Sequence, residues 1–116
     1  MAEPLYKICP EAALKEARQN GRFDGSADDA RDGFIHLSAG NQVAGTLAKY
    51  FAGQRDLVLL AVDPERLGEH LRWETSRGGE LFPHLYGPLD LAHVISVEPL
   101  AVQEDGSHRL PKGIAS

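Results

Sequence analysis

Leu57-Val58-Leu59-Leu60-Ala61-Val62 is apolar at every position and stops at Asp63-Pro64. It is the longest strongly apolar run in the chain, far short of the roughly 20 residues a membrane-spanning helix takes. Without alternation it has no face to offer water, so it predicts a central strand buried on both faces, in the middle of the sheet. At 116 residues the chain supplies one such core, and the expected organisation is a single domain over residues 1–102 with a tail over 103–116.

The flanking elements follow from local pattern. Leu5 to Ile8 predicts a short strand, with Pro10 in the first turn of a helix that runs to Asn20 and stops at Gly21. Asp24 to Asp32 is acidic and small and predicts a solvated loop. Its alternate Asp24, Ser26 and Asp28 imitate a calcium loop, but Asp29 stands where glycine is required and Ile35 where the bidentate glutamate belongs. Phe34 to Ser38 predicts a strand, with Phe34, His36 and Ser38 on one face and Ile35 and Leu37 on the other. Val43, Ala44, Leu47, Ala48 and Phe51 recur at helical spacing over Asn41 to Phe51, before Gly53. Leu71 to Glu74, Phe82 to Tyr86 and His93 to Val102 predict later strands, and Pro83 and Pro99 mark the last two as edge or irregular strands. Helices come early and strands late, which is the order of an α+β domain with mostly antiparallel sheets.

Charge and cysteine content exclude several roles. A formal net charge of −5 repels a phosphate backbone, so a nucleic acid polymer is not expected as partner, although Arg22, Arg31, Arg55, Arg72 and Arg77 could hold the phosphate of one nucleotide. Cys9 is the lone cysteine and no charged-then-apolar leader precedes it, which together predict a cytoplasmic location, with no membrane partner.

The chemistry is concentrated in three short segments. In Gly33-Phe34-Ile35-His36-Leu37-Ser38, an imidazole and a hydroxyl interrupt an apolar strand and must find partners there. A backbone carbonyl for His36, or a helix cap for Ser38, would account for them structurally. In Trp73-Glu74, a carboxyl against an aromatic wall would have its pKa raised, suiting acid, base or cation-stabilising work. A surface glutamate beside a core tryptophan is the structural alternative. In Phe82-Pro83-His84-Leu85-Tyr86-Gly87, His84 and Tyr86 share a face and add a second imidazole and a phenol, unless Tyr86 merely closes the core. Taken together these make His36, Glu74 and His84 the candidate catalytic residues, and His36, Ser38, Tyr86 and Trp73 the candidate ligand-binding ones. No His-x-x-x-His or Gly-x-Gly-x-x-Gly pattern occurs, so neither a metal nor a dinucleotide-binding glycine loop is expected; the four-residue spacing of His70 and Glu74 is not on a long helical pattern.

The three segments, spaced as they are, resemble an uncharacterised, mainly bacterial family known as a domain of unknown function, whose members are sometimes labelled glutathione S-transferase domain proteins. The chain is too short for that two-domain enzyme and has no thioredoxin-like motif. The family in turn resembles in fold the ADP-ribosyltransferase-like superfamily, which implies two packed, split β-sheets around a cleft for NAD. By that resemblance His36 would bind the ribose, Ser38 would line the pocket and Tyr86 would stack on nicotinamide. NAD is then the implied ligand or substrate, and a transferase acting on NAD or ADP-ribose the implied activity. The superfamily's late-strand glutamate has no clear counterpart, His84 standing near its place with Glu74 and Glu98 as the nearest carboxylates. A non-catalytic nucleotide-binding, regulatory or protein-interaction module is the alternative.

Overall fold

The computed structural model describes residues 3–112 and 114; residues 1, 2, 113, 115 and 116, and the side chain of Arg77, lie outside it. Along the chain run β1 (Leu5–Pro10), α1 (Glu11–Asn20), β2 (Arg22–Phe23), α2 (Ala27–Asp32), β3 (Ile35–His36), β4 (Ser38–Ala39), α3 (Val43–Tyr50), β5 (Leu57–Val62), β6 (Leu71–Thr75), β7 (Leu81–Leu85), β8 (Leu89–Asp90) and β9 (Val94–Leu100). They form a four-stranded sheet ordered β4-β1-β5-β9, a three-stranded sheet ordered β3-β7-β6, and the small pair β2-β8. Every strand pair among the described residues is antiparallel, and the protein is an α+β domain. No helix of the described residues is long and apolar enough to cross a membrane.

The apolar run is the interior strand it predicts: all six residues of β5 are buried between β1 and β9. Its two faces feed separate cores. Val58, Leu60 and Val62 pack with Leu14, Phe23, Ile35, Leu85 and Leu89. Leu57 and Leu59 pack with Ile8, Val43, Leu47 and Leu100, so α3 covers that side. Pro99 lies on the edge strand β9, opposite Val58, where a missing N–H removes no ladder bond on the open side.

Four local expectations are corrected. Pro10 is not inside α1; it ends β1, extended at φ −62° and ψ 145° and paired with Leu57, and the helix starts at Glu11. Two thirds of the acidic stretch is helix α2, not loop. Ser26 caps it reciprocally: Asp29 N–H donates to Ser26 Oγ (3.3 Å) and Ser26 N–H donates to Asp29 Oδ2 (2.9 Å). Phe34 to Ser38 is not one strand. The chain leaves the three-stranded sheet after His36 and joins the four-stranded sheet at Ser38, because Leu37, 3% exposed, turns into the core between them. Finally, β7 is the middle strand of its sheet, Pro83 included. Pro83 C=O accepts from Leu37 N–H at 3.0 Å, so its nitrogen faces the same side, just beyond the last residue of β3, where the pairing carries one bond in place of two.

After Leu100 the described chain folds back onto the domain. Val102 pairs with His108, Gly53 N–H donates to Gly106 C=O at 2.8 Å, and Leu110 and Ile114 pack on the second core.

Candidate functional site

Alternation gives the three-stranded sheet two unlike faces. Ile35 and Leu85, each 2% exposed, belong to the core. On the opposite face β6 contributes Arg72 and Glu74, β7 contributes Phe82 and His84, and β3 contributes His36, whose Cα is registered against that of His84. Tyr86 follows β7 on the same face. His84 is buried, and its Nδ1 lies 2.8 Å from Glu74 Oε1. Tyr86 O–H donates to the same oxygen at 2.7 Å. The Phe34 ring stacks on His84 with centroids 4.0 Å apart and leans on His36 and Tyr86 at 4.7 and 5.3 Å. His36 meets His84 edge-on at 5.7 Å. On the outer side the Arg72 guanidinium lies 5.3 Å from the centre of the Tyr86 ring.

The electrostatics of Glu74 run opposite to the sequence expectation. Hydrogen bonds from His84 and then Tyr86 hold its carboxyl below the usual range, and the bond to Glu74 in turn pushes the Tyr86 phenol up. Trp73 cannot be the wall that would raise it, since adjacent strand residues point to opposite faces; Trp73 is 48% exposed on the other side. Glu74 is thus an ionised acceptor shared by an imidazole and a phenol.

A second cluster lies across His36, and its centre is Asp29. Both carboxylate oxygens are fully used: Oδ1 accepts from the backbone N–H of His36 (3.0 Å) and contacts its Nδ1 (2.6 Å), while Oδ2 accepts from Lys7 Nζ (2.8 Å) and Ser26 N–H (2.9 Å). Lys7 also donates to His36 C=O at 3.2 Å. Burial pushes the Asp29 carboxyl up, but the His36 bond, the charge and bond of Lys7 and the Ser26 N–H outweigh it, so it sits far below the ordinary range. Asp32 Oδ2 takes the other ring nitrogen of His36, Nε2, at 2.9 Å.

Beside His36 and His84 opens a cavity of about 550 Å³, within the range of roughly 300–1,000 Å³ that small ligands and cofactors occupy. Three of the candidate catalytic and ligand-binding residues line it, His36, Ser38 and His84, and of the arginines named for a phosphate Arg31 lines it too. Ser38 lies 3.2 Å from the Thr46 hydroxyl, oxygen to oxygen, on the α3 wall. Glu74 and Tyr86 are not in the wall and reach it through His84, and Trp73 stands apart. No three His, Cys, Asp or Glu side chains of the described residues gather as a metal cluster.

Sequence reasoning missed Lys7, Asp29, Asp32 and Phe34. The spacing Ser26-Ala27-Asp28-Asp29 carried a usable signal, a capping-box pattern that locates a helix start and a buried carboxylate. Lys7, one charge in an apolar strand, was the other signal.

The comparisons with known proteins agree with the fold. Protein CC0527 from Caulobacter crescentus, in its crystal structure, is 53% identical with a TM-score of 0.88, covering 91% of this chain and 93% of that one. Its solution NMR structure gives 54% identity and a TM-score of 0.81, with 90% of each chain covered. No match is found among curated proteins. Residues 8–97 match the family model described as "Protein of unknown function (DUF952)", and the chain belongs to that family.

Proposed function

We propose that the cavity binds a ribose-bearing nucleotide, with NAD or ADP-ribose as the ligand, in the manner of an ADP-ribosyltransferase-like protein. The observation that carries this reading is the convergence of His36, Ser38 and His84, from three strands in two sheets, on one cavity of cofactor size. His36 and Ser38 offer hydrogen bonds to ribose hydroxyls. His84, clamped between Glu74 and the Phe34 ring, presents an oriented imidazole beside His36 on the same sheet face. If NAD is cleaved there, nicotinamide leaves with the bonding pair and C1′ becomes cationic. Glu74, kept ionised by its two donors, supplies compensating negative charge through the His84 pair.

One observation favours binding without chemistry. Glu74 lies behind His84 instead of in the wall, and one of its oxygens accepts from both His84 and Tyr86. A nucleotide-binding regulatory module would have this geometry and would release no nicotinamide.

Thermal unfolding with NAD and with ADP-ribose tests the reading. At a hundred-fold excess over the dissociation constant a ligand stabilises by about 2.7 kcal/mol. That raises the midpoint of a domain this size by about 10 °C. The shift is expected in the wild type and absent in His36→Ala, whose fold is checked by its amide spectrum. No shift with either ligand refutes the proposal. Nicotinamide release then separates the two readings.

A further inference from the structure

Two basic side chains line the cavity, and they are held in opposite ways. Lys7 is 5% exposed at its side chain and fixed by Asp29 and the His36 carbonyl. Arg31 is 68% exposed, its Nη1 3.2 Å from Asp28 Oδ1 and its Nε 3.2 Å from Asp32 Oδ1. Asp32 is therefore shared: one oxygen rests on the guanidinium and the other on His36 Nε2. A single carboxylate fills both an anion position and a hydrogen-bonding position of the same cavity. Its pairing with Arg31 is exposed and hence weak, whereas a phosphate matches the guanidinium fork with two charge-assisted bonds.

We infer that Arg31 is the phosphate-binding residue of this cavity and that Asp32 is its built-in occupant, displaced by a ligand that brings phosphate to Arg31 and a hydrogen-bonding group to His36. This rests on the nucleotide reading above and names its phosphate contact. The local charge adds selectivity. Asp28, Asp29 and Asp32 against Lys7 and Arg31 leave an excess of one negative charge among these five residues. An anion that reaches Arg31 alone still faces the Asp32 carboxylate held on His36, whereas a nucleotide replaces both ends of Asp32 at once. The device sits on α2, a six-residue helix whose Asp29 end is locked in the core while Arg31 and Asp32 lie at the surface.

Calorimetric titration of the full chain with ADP-ribose and with inorganic pyrophosphate, in the wild type, Arg31→Gln and Asp32→Ala, tests this. Both positions are exposed, so both variants keep the fold. ADP-ribose is expected to bind Arg31→Gln about ten-fold or more weakly, the loss of one charged hydrogen-bonding partner. Asp32→Ala is expected to bind both probes more tightly, pyrophosphate by the larger factor. In the ligand-free Asp32→Ala protein the His36 Nε2 resonance should move while Nδ1, on Asp29, stays. ADP-ribose binding that is equal within two-fold in wild type and Arg31→Gln overturns the inference and leaves the nucleotide reading standing. Failure of ADP-ribose to bind either the wild type or Asp32→Ala overturns both.

Discussion

Removing the Asp29 carboxylate should cost this domain a large part of its stability. Asp29→Ala leaves the Lys7 ammonium, 5% exposed, with the His36 carbonyl to bond and the Phe23 ring 5.8 Å away, and strips the acceptor from the backbone N–H groups of Ser26 and His36. Breaking a buried ion pair from one side costs about 3–5 kcal/mol, against about 5–15 kcal/mol for a whole small domain. With a urea slope of about 2 kcal/mol/M the unfolding midpoint should fall by about 2 M at unchanged slope. Lys7→Met with Asp29→Leu removes both charges and replaces them with apolar volume, so it should recover most of the loss, less about 1 kcal/mol for the broken cap. The same carboxylate sets an acid limb. Its folded pKa lies below the unfolded value of 3.8, so its stabilisation is complete above about pH 4–5 and drains as pH falls toward the folded value. Asp29→Ala should lose that limb. A loss under about 1 kcal/mol for Asp29→Ala, or a double variant as unstable as the single one, would refute the account of Asp29 as an electrostatic hub.

Two further outcomes follow from the same region. Gly25 adopts φ +111°, and a Cβ there would stand 2.8 Å from the Cβ of Asp29, so Gly25→Ala should destabilise by about 1–3 kcal/mol and shift the His36 resonances as α2 is pushed; an unperturbed spectrum would show that the loop yields freely. Burial pushes the Cys9 thiol up from 9.0 to about 11, with the Lys7 charge opposing. The neutral thiol is thus favoured in the folded state, and this contribution to stability is present below about pH 9 and lost as pH rises through about 11. Urea midpoints measured across that window should fall less steeply in Cys9→Ala, and identical slopes would rule the thiol out as the cause.

The parts of the fold legible in the sequence are those fixed by local pattern. β5 announces itself because uniform apolarity admits few environments, and Gly21 ends α1 in the left-handed conformation its position requires. What was illegible depended on partners far along the chain. Pro83 reads as an edge residue, yet stands in a middle strand because β3 ends opposite its nitrogen. Leu37 reads as one more strand residue, yet its burial splits the segment between two sheets. Of the site, His36, Ser38 and His84 were found because polar groups on apolar strands are conspicuous. The state of Glu74 is not legible because Trp73, its neighbour in sequence, is not its neighbour in space. Asp29 was passed over because one buried carboxylate among exposed ones carries no mark except its distance from Ser26.

That split at Leu37 makes the segment from Phe34 to Ala39 a seam. His36 is stitched to one sheet and Ser38 to the other, with a single buried residue between them. The two cavity walls therefore cannot part without stretching or rotating the backbone of the very residues that line them. Any ligand that bridges His36 and Ser38 sews the sheets together at this point. Hydrogen exchange at the Leu37 amide, which is bonded to Pro83 at 3.0 Å, is the natural gauge of how tightly that seam is drawn.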